Sequence, residues 1–252
     1  MILLKSPAEV EEMRAPGAIL AGAHKRVRAF LKPGITTGEL DREIETFIRD
    51  QGGEPAFKGY RGYPASSCLS VNDEVVHGIP GKRVLKAGDI IGVDIGVKAG
   101  GFYADAAQTL SVGGISAEAS RLLRVTKEAL YLGIDQARAG NRLGDVSHAI
   151  QKHVESAGFS VVRTLVGHGI GRSMHEDPQV PNYGRPGEGA VLKAGMVLAI
   201  EPMVNAGTHE VEVLEDKWTV VTADGALSAH FEHSVAVTES GPAILTEGSV
   251  PE

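Results

Sequence analysis

Apolar positions along this chain recur at helical spacing in some stretches. Between those stretches lie short runs that alternate or are continuously apolar. Ser6-Pro7-Ala8-Glu9 opens the first helical stretch. Ser6 can cap, Pro7 suits the first helical position and Glu9 completes a capping box. The spacing predicts a helix from there to about Leu31, stopped by Lys32-Pro33-Gly34. A second helix starts within Thr36 to Glu39 and ends near Gly52-Gly53. Strands are expected over Cys68 to Val71, Glu74 to His77, Asp89 to Val97 and Phe102 to Leu110. The order then begins again. Helical spacing covers roughly Ala117 to Ala139, breaks at Asn141 to Gly144 and resumes to about Gly158. Strands are expected over Val161 to Val166, Met196 to Val204, Val211 to Val221 and His230 to Val237.

The repetition extends to individual residues. Gly34-Ile-Thr-Thr-Gly38-Glu-Leu40-Asp-Arg-Glu-Ile44 matches Gly140-Asn-Arg-Leu-Gly144-Asp-Val146-Ser-His-Ala-Ile150 at an offset of 106 positions, which also sets Gly52 on Gly158. Two halves, about 1–112 and 113–252, suggest an internal duplication within one domain spanning 1–252, with a cleft where the halves meet. The alternative is that two glycine-capped amphipathic helices look alike without a common origin.

Composition narrows the picture. The 252 residues are 42% hydrophobic and 23% charged, an ordinary globular balance and enough chain for a large core. The net charge of −7 and the lack of a basic run argue against a general nucleic-acid binder. Cys68 is the one cysteine, so an internal disulfide is impossible and a reducing, cytoplasmic compartment fits. Met1 to Met13 lacks the apolar run of a signal peptide, and no apolar stretch reaches the roughly 18 residues of a membrane span. No Cys/His-rich extension precedes the first helix.

The candidate chemistry is a metal site. Asp94 and Asp105 flank Lys98-Ala-Gly-Gly101, which reads as a hairpin turn. A turn centred between Ala99 and Gly100 would set the two aspartates directly opposite each other, with Cβ atoms roughly 4.5–5.5 Å apart. Carboxylates that close repel unless a cation lies between them. His168 stands in Gly167-His-Gly-Ile-Gly-Arg172, where glycines let the backbone approach a ligand, and His175 follows within the same loop. Glu201 ends an apolar run, and Glu232 lies inside another. Taken singly, each acid could hydrate a turn or pair with an arginine, and each histidine could be solvated. Together, Asp94, Asp105, His168, Glu201 and Glu232 form an oxygen-rich set with one imidazole, suited to two divalent ions such as Mn, Co or Fe(II). His24, His148, His153 and His209 carry no such signal, and His230 and His233 need only support Glu232.

These segments resemble type I methionine aminopeptidases, which share the pita-bread fold with prolidase and creatinase. The resemblance covers essentially the whole chain. It rests on Cys68-Leu-Ser-Val-Asn72 through His77-Gly-Ile-Pro80, Gly167 to Arg172 with His175-Glu-Asp-Pro178, Ile200-Glu-Pro-Met-Val-Asn205 and Phe231-Glu-His233. It implies an α+β fold of two pseudo-symmetric halves, with antiparallel sheets around a central metal cleft. It also implies removal of the initiator methionine from nascent polypeptide N-termini when the second residue is small. Asp105 and Glu232 would bridge two metals, Asp94 would hold one, and His168 and Glu201 the other. Glu201 would serve as general base, His175 would stabilise the tetrahedral intermediate, and His77 would bond the scissile amide region. Phe57, Tyr60, Tyr63, Cys68, Met174 and Trp218 would line the methionine pocket, although a Tyr or a Trp alone is better explained by core packing. Two positions depart from well-known bacterial members, which have cysteine where Phe57 stands and phenylalanine where Met174 stands. Tyr103-Ala104 replaces the His-Gly that commonly precedes the metal-binding aspartate.

Two competing readings remain at this stage. A proline peptidase of the aminopeptidase P or prolidase kind usually carries a long N-terminal domain and arranges its cleft histidines differently. A non-catalytic pita-bread module that binds peptides would have lost metal ligands. The acidic balance favours at most transient contact with the ribosome, and a monomer is the expectation for this type.

Overall fold

A computed structural model describes residues 1–250. The first half holds helices α1 (Pro7–Glu12), α2 (Arg14–Phe30) and α3 (Thr37–Asp50). Its strands are β1 (Glu54–Pro55), β2 (Cys68–Val71), β3 (Glu74–Val76), β4 (Ile90–Ala99) and β5 (Phe102–Ser111). The second half holds α4 (Ala117–Gln136) and α5 (Leu143–Ser156). Ten strands follow: β6 (Ser160–Val161), β7 (Val166–Gly169), β8 (Glu176–Pro181), β9 (Val197–Ile200), β10 (Met203–Asn205), β11 (Val211–Val213), β12 (Val220–Thr222), β13 (Ser228–His230), β14 (His233–Thr238) and β15 (Gly241–Ile244). The expected first helix is two helices that meet at Met13. That side chain is wholly buried in an apolar cluster with Phe57, Phe102 and Met174, which draws the chain inward at the junction.

All sheet pairings are antiparallel. β4 carries β5 on one edge and β1 and β2 on the other. The main sheet of the second half runs β15-β14-β9-β7-β8, while β10 pairs with β6 and β13. A three-stranded sheet, β11-β12-β3, joins the halves.

Period-two alternation decides which face each strand shows the helices. Ile91, Val93, Ile95 and Val97 of β4 pack with Leu20, Leu40, Ile44 and Ile48 of α2 and α3, so Asp94 points the other way. Leu198, Ile200 and Val235 pack with Leu122, Val125 and Ile150 of α4 and α5. Each such side chain, fully buried, contributes about 1.5–3 kcal/mol before entropy is counted. The helices thus cover the outer faces, and the inner faces meet at the centre of the molecule.

The repeat read from the sequence is present in three dimensions. Each residue of α3 has its counterpart in α5 at 106 positions further on. Gly34 and Gly140 share a φ of 95°, and Gly52 and Gly158 have φ of 79° and 78°. Gly34 N–H donates to the Leu85 carbonyl at 2.8 Å, as Gly140 N–H does to that of Leu192 at 2.9 Å. Gly38 and Gly144 both lie where a side chain would strike carbonyl oxygens, Gly81 at 2.9 Å and Arg185 at 2.2 Å from an added Cβ.

Candidate metal centre

The seam between the halves runs along β5. Glu232 N–H donates to the Ala107 carbonyl at 2.9 Å, and Ala107 N–H returns a longer bond at 3.4 Å. The Ser234 hydroxyl donates to the Asp105 carbonyl and accepts the Asp105 N–H, at 2.8 and 3.0 Å. Thr109 Oγ1 spans the backbone of His230 in the same way, at 2.9 and 2.8 Å. These bonds tie β5 to the chain around Glu232 and bring Asp105 and Glu232 together.

The hairpin register differs from the sequence expectation. Gly100 and Gly101 both take left-handed φ, 59° and 82°, and form a two-residue turn between Ala99 and Phe102. A turn with φ above zero at both centres favours glycine at both, so its centre falls between Gly100 and Gly101. Asp94 is therefore opposite Ala107, and Asp105 is opposite Gly96. The two aspartates are diagonal neighbours on one face, still within reach of each other.

The expected strands 196–204 and 230–237 are each broken at their carboxylate. β9 ends at Ile200 and β10 begins at Met203, leaving Glu201-Pro202 between them. Phe231-Glu232 separates β13 from β14. Pro202 has no N–H to give a ladder, and the Glu232 backbone is bonded across the seam instead. Both breaks turn a carboxylate into the same cavity.

That cavity, of about 270 Å³, is lined by all five expected ligands together with His77, His175, Phe57, Tyr60, Tyr63, Cys68 and Trp218. Ligand atoms of Asp105, His168 and Glu232 all lie within 4.8 Å of one another. His168 Nδ1–H donates to the Gly169 carbonyl at 2.8 Å, because a carbonyl can only accept. Its Nε2 therefore presents a lone pair to the cavity, 3.7 Å from Glu201 Oε1 and 3.9 Å from Asp105 Oδ2.

The electrostatics call for a cation. Burial pushes Asp94 up to about 7. Burial, followed by the neighbouring carboxylates, raises Asp105, Glu201 and Glu232 well above the usual range. Asp94 Oδ1, Asp105 Oδ1 and Glu232 Oε1 are buried acceptors with no hydrogen-bond donor. Acceptors in that position carry a large desolvation cost, which a divalent ion would remove. The donor set is oxygen-rich with one imidazole. Cys68, paired in register with Asp94, is held as a thiol by burial and the Asp94 charge, so it offers no thiolate. These residues fit a divalent metal.

The rest of the cavity divides by chemistry. His175, against the ring of His168 at 4.1 Å between centroids, is pushed down to about 3 by burial and then by His168, Arg61 and His77. It is neutral at neutral pH. His77 sits at a φ of 61° and is lowered by burial. Trp218 meets Tyr63 edge-on at 5.1 Å. The Tyr63 hydroxyl lies 3.1 and 3.0 Å from the Ser67 and Gly78 carbonyls, so this residue ties loops together as well as lining the wall. Met174 departs from expectation: it stands behind Phe57, outside the cavity wall. A Cβ on Gly96 would lie 2.7 Å from Phe57 and 3.1 Å from Met174, so the two departures from the family pattern occupy one spot.

Sequence reasoning missed Arg61, Val76, Thr164 to Val166 and Met203 on the wall. It also gave His230 too little weight. His230 is buried, pushed down to about 3, and its Nε2 lies without a hydrogen bond 3.7 Å from Glu201 Oε2. The left-handed φ of Arg61, 50°, is invisible in sequence, and the others read as ordinary strand ends.

A two-sheet cleft with buried carboxylates and one imidazole is the architecture of a metal-dependent hydrolase, and the chain belongs to metallopeptidase family M24, whose model matches residues 11–239. Along nearly its whole length it is similar to methionine aminopeptidase 1 of Bacillus subtilis, at 56% identity over 98% of this chain and 99% of that protein. Methionine aminopeptidase of Clostridium perfringens is similar to the same degree. The solved methionine aminopeptidase of Thermotoga maritima superposes with a TM-score of 0.96 at 51% identity, covering 98% and 99% of the two chains. A Xaa-Pro dipeptidase from Bacillus anthracis shares the pita-bread fold, with a TM-score of 0.78 at 22% identity, but this chain spans 63% of it. Among the described residues no helix is long and apolar enough to cross a membrane.

Proposed function

We propose that this chain is a methionine aminopeptidase that removes the initiator methionine from nascent proteins whose second residue is small. It would act in the cytoplasm as a monomer, in no more than transient contact with the ribosome. One observation carries the reading. The carboxylate cluster and an aromatic wall share one cavity, in a chain that matches methionine aminopeptidases end to end.

The carboxylates suit two ions, drawn from Mn, Co or Fe(II). Asp105 and Glu232 would hold both, Asp94 one, and His168 and Glu201 the other. When bound, such ions act as Lewis acids and lower the pKa of water.

The chain's own groups handle the proton and the peptide. Glu201, which lines the cavity beside Asp105 and His168, takes a proton as general base and passes it to the leaving amine. Neutral His175 donates to the developing oxyanion, a contribution often worth about 10²–10³ in rate. His77, at the same wall, bonds the scissile amide. Phe57, Tyr60, Tyr63, Cys68 and Trp218 receive the methionine side chain and keep water from it, while Met174 backs Phe57 and sets the depth.

Hydrolysis of Met-Ala-Ser beside Ala-Pro-Ala tests this, using chelator-stripped protein with Mn or Co restored. Metal-dependent release of methionine from the first peptide alone is expected. Cleavage of the proline peptide would move the chain to the proline peptidases. Turnover of neither, with metal shown to be bound, would make it a peptide-binding module.

A further inference from the structure

Tyr60 opens a tight turn, Tyr60–Gly62, between Gly59 at a φ of 84° and Gly62 at 89°, with Arg61 also left-handed. This conformation brings the phenol over the cleft. The Tyr60 hydroxyl lies 3.0 Å from His175 Nδ1, and the two rings are nearly parallel, 12° apart in plane with centroids 5.3 Å apart. The other side of His175 is against His168. The imidazole is therefore held between two rings, with Nδ1 engaged and Nε2 left to meet a ligand.

A neutral imidazole has one donor and one acceptor nitrogen, and the bond made by one decides the state of the other. A phenol is the stronger donor of this pair, and an imidazole nitrogen is a stronger acceptor than a phenol oxygen. The favoured arrangement is therefore O–H donating to Nδ1. We infer that the Tyr60 hydroxyl is a positioning group: it donates to His175 Nδ1 and fixes the tautomer whose Nε2–H is offered to the substrate. This rests on the proposed role of His175 as a donor to the developing oxyanion. It separates two functions in Tyr60: the ring is pocket wall, and the hydroxyl acts through His175.

Tyr60→Phe keeps the ring and removes only the hydroxyl. The first readout is the pair of imidazole ¹⁵N shifts of His175 in metal-free protein, which needs no turnover. A pyridine-type Nδ1 and a pyrrole-type Nε2 are expected in the unmodified protein, and a mixture of the two tautomers in the Tyr60→Phe variant. The second readout is turnover of Met-Ala-Ser, where kcat should fall about tenfold while KM stays within about twofold. A pyrrole-type Nδ1 in the unmodified protein, or the same single tautomer in both proteins, overturns the inference. So does a rise in KM at constant kcat, which would leave Tyr60 as wall only. Should neither protein release methionine, the functional reading fails, while the shifts still decide the tautomer.

Discussion

The rim and the centre of this molecule treat the pseudo-symmetry of its halves differently. At the rim, α3 and α5 correspond position for position, with paired glycines and paired bonds to the chain beyond. At the centre the halves diverge. β4 and β5 are unbroken strands of 10 residues each, whereas the corresponding strands of the second half are interrupted at Glu201-Pro202 and Phe231-Glu232. One position beyond the helix offset, Asp94 is matched by Glu201. The rim kept what two helices need to pack. The centre kept carboxylates in both halves and gave up strand continuity in one, because a ladder cannot also aim a glutamate across the seam. Folding is thus served at the rim and chemistry at the centre, and substitutions in the two regions should fail in opposite ways.

Glu201→Gln should give the largest effect. It removes the proposed proton acceptor, and activity on Met-Ala-Ser should fall by about 10²–10⁴. It also removes a buried acid whose charged form the fold disfavours, so the metal-free protein should melt no lower than the parent. Steady-state kinetics beside differential scanning calorimetry check both halves. A large loss of stability would mean that the centre serves folding after all.

The pH dependence of stability sharpens the same contrast. Asp94 titrates at about 7 in the fold against about 3.9 when unfolded. Between those values the folded chain binds more protons, so stability of the metal-free protein falls as pH rises through the window. Asp105, Glu201 and Glu232 are raised in the same direction and extend the fall upward. Metal binds the deprotonated carboxylates, so its stabilising effect grows with pH. The Tm of chelated protein should therefore drop between about pH 5 and pH 8, and saturating Mn should abolish or reverse that slope. Equal slopes with and without metal would contradict the picture of uncompensated acids at the centre.

Gly144→Ala addresses the rim. The added Cβ would lie 2.2 Å from the Arg185 carbonyl oxygen, so the 185–189 loop must shift, at a cost of about 1–3 kcal/mol. Gly38→Ala, at 2.9 Å from the Gly81 carbonyl oxygen, should cost less. Urea midpoints measure both. Activity per folded molecule should be unchanged, and a kinetic defect without a stability defect would undo the division of roles.

The same division explains what the sequence could disclose. Caps at Ser6 and Thr36, the glycine pairs and the helical spacing are local signals, and they lie in the structure where the pattern put them, except that the first helix breaks at Met13, where burial of a side chain among distant residues decides. The four carboxylates were legible because buried strands rarely carry such groups, His168 because glycines flank it in a loop that also holds His175, and all five line the cavity. The hairpin register was misplaced because two glycines, not one, share the turn. The breaks at Glu201 and Glu232 were missed because apolar residues continue on both sides, and only the partner half reveals why the ladder stops. β8, polar and containing Pro178 and Pro181, has no strand pattern and exists as a sheet edge. His230 and Thr164 to Val166 join the site through tertiary placement alone.

The smallest predicted effect distinguishes the two copies of the rim unit from each other. At α3, Thr36 Oγ1 accepts the Glu39 N–H at 3.1 Å, and Glu39 Oε2 accepts the Thr36 N–H at 2.8 Å. At α5 only the inward half of that exchange is made by side-chain oxygen: Asp145 accepts the Arg142 N–H at 2.7 Å. Arg142 has no acceptor to offer, and its guanidinium donates instead to the Gly189 carbonyl at 2.8 Å. Thr36→Ala should therefore cost about 1 kcal/mol. Arg142→Ala, which loses an exposed contact and no cap, should stay within about 0.5 kcal/mol. Urea denaturation of both variants decides it, since the midpoint should move for Thr36→Ala and scarcely for Arg142→Ala. Equal shifts would mean that the α3 start is held by its bonds to the Gly81 and Arg83 carbonyls, which α5 reproduces at Glu188 and Ala190, and that the cap is incidental to both copies.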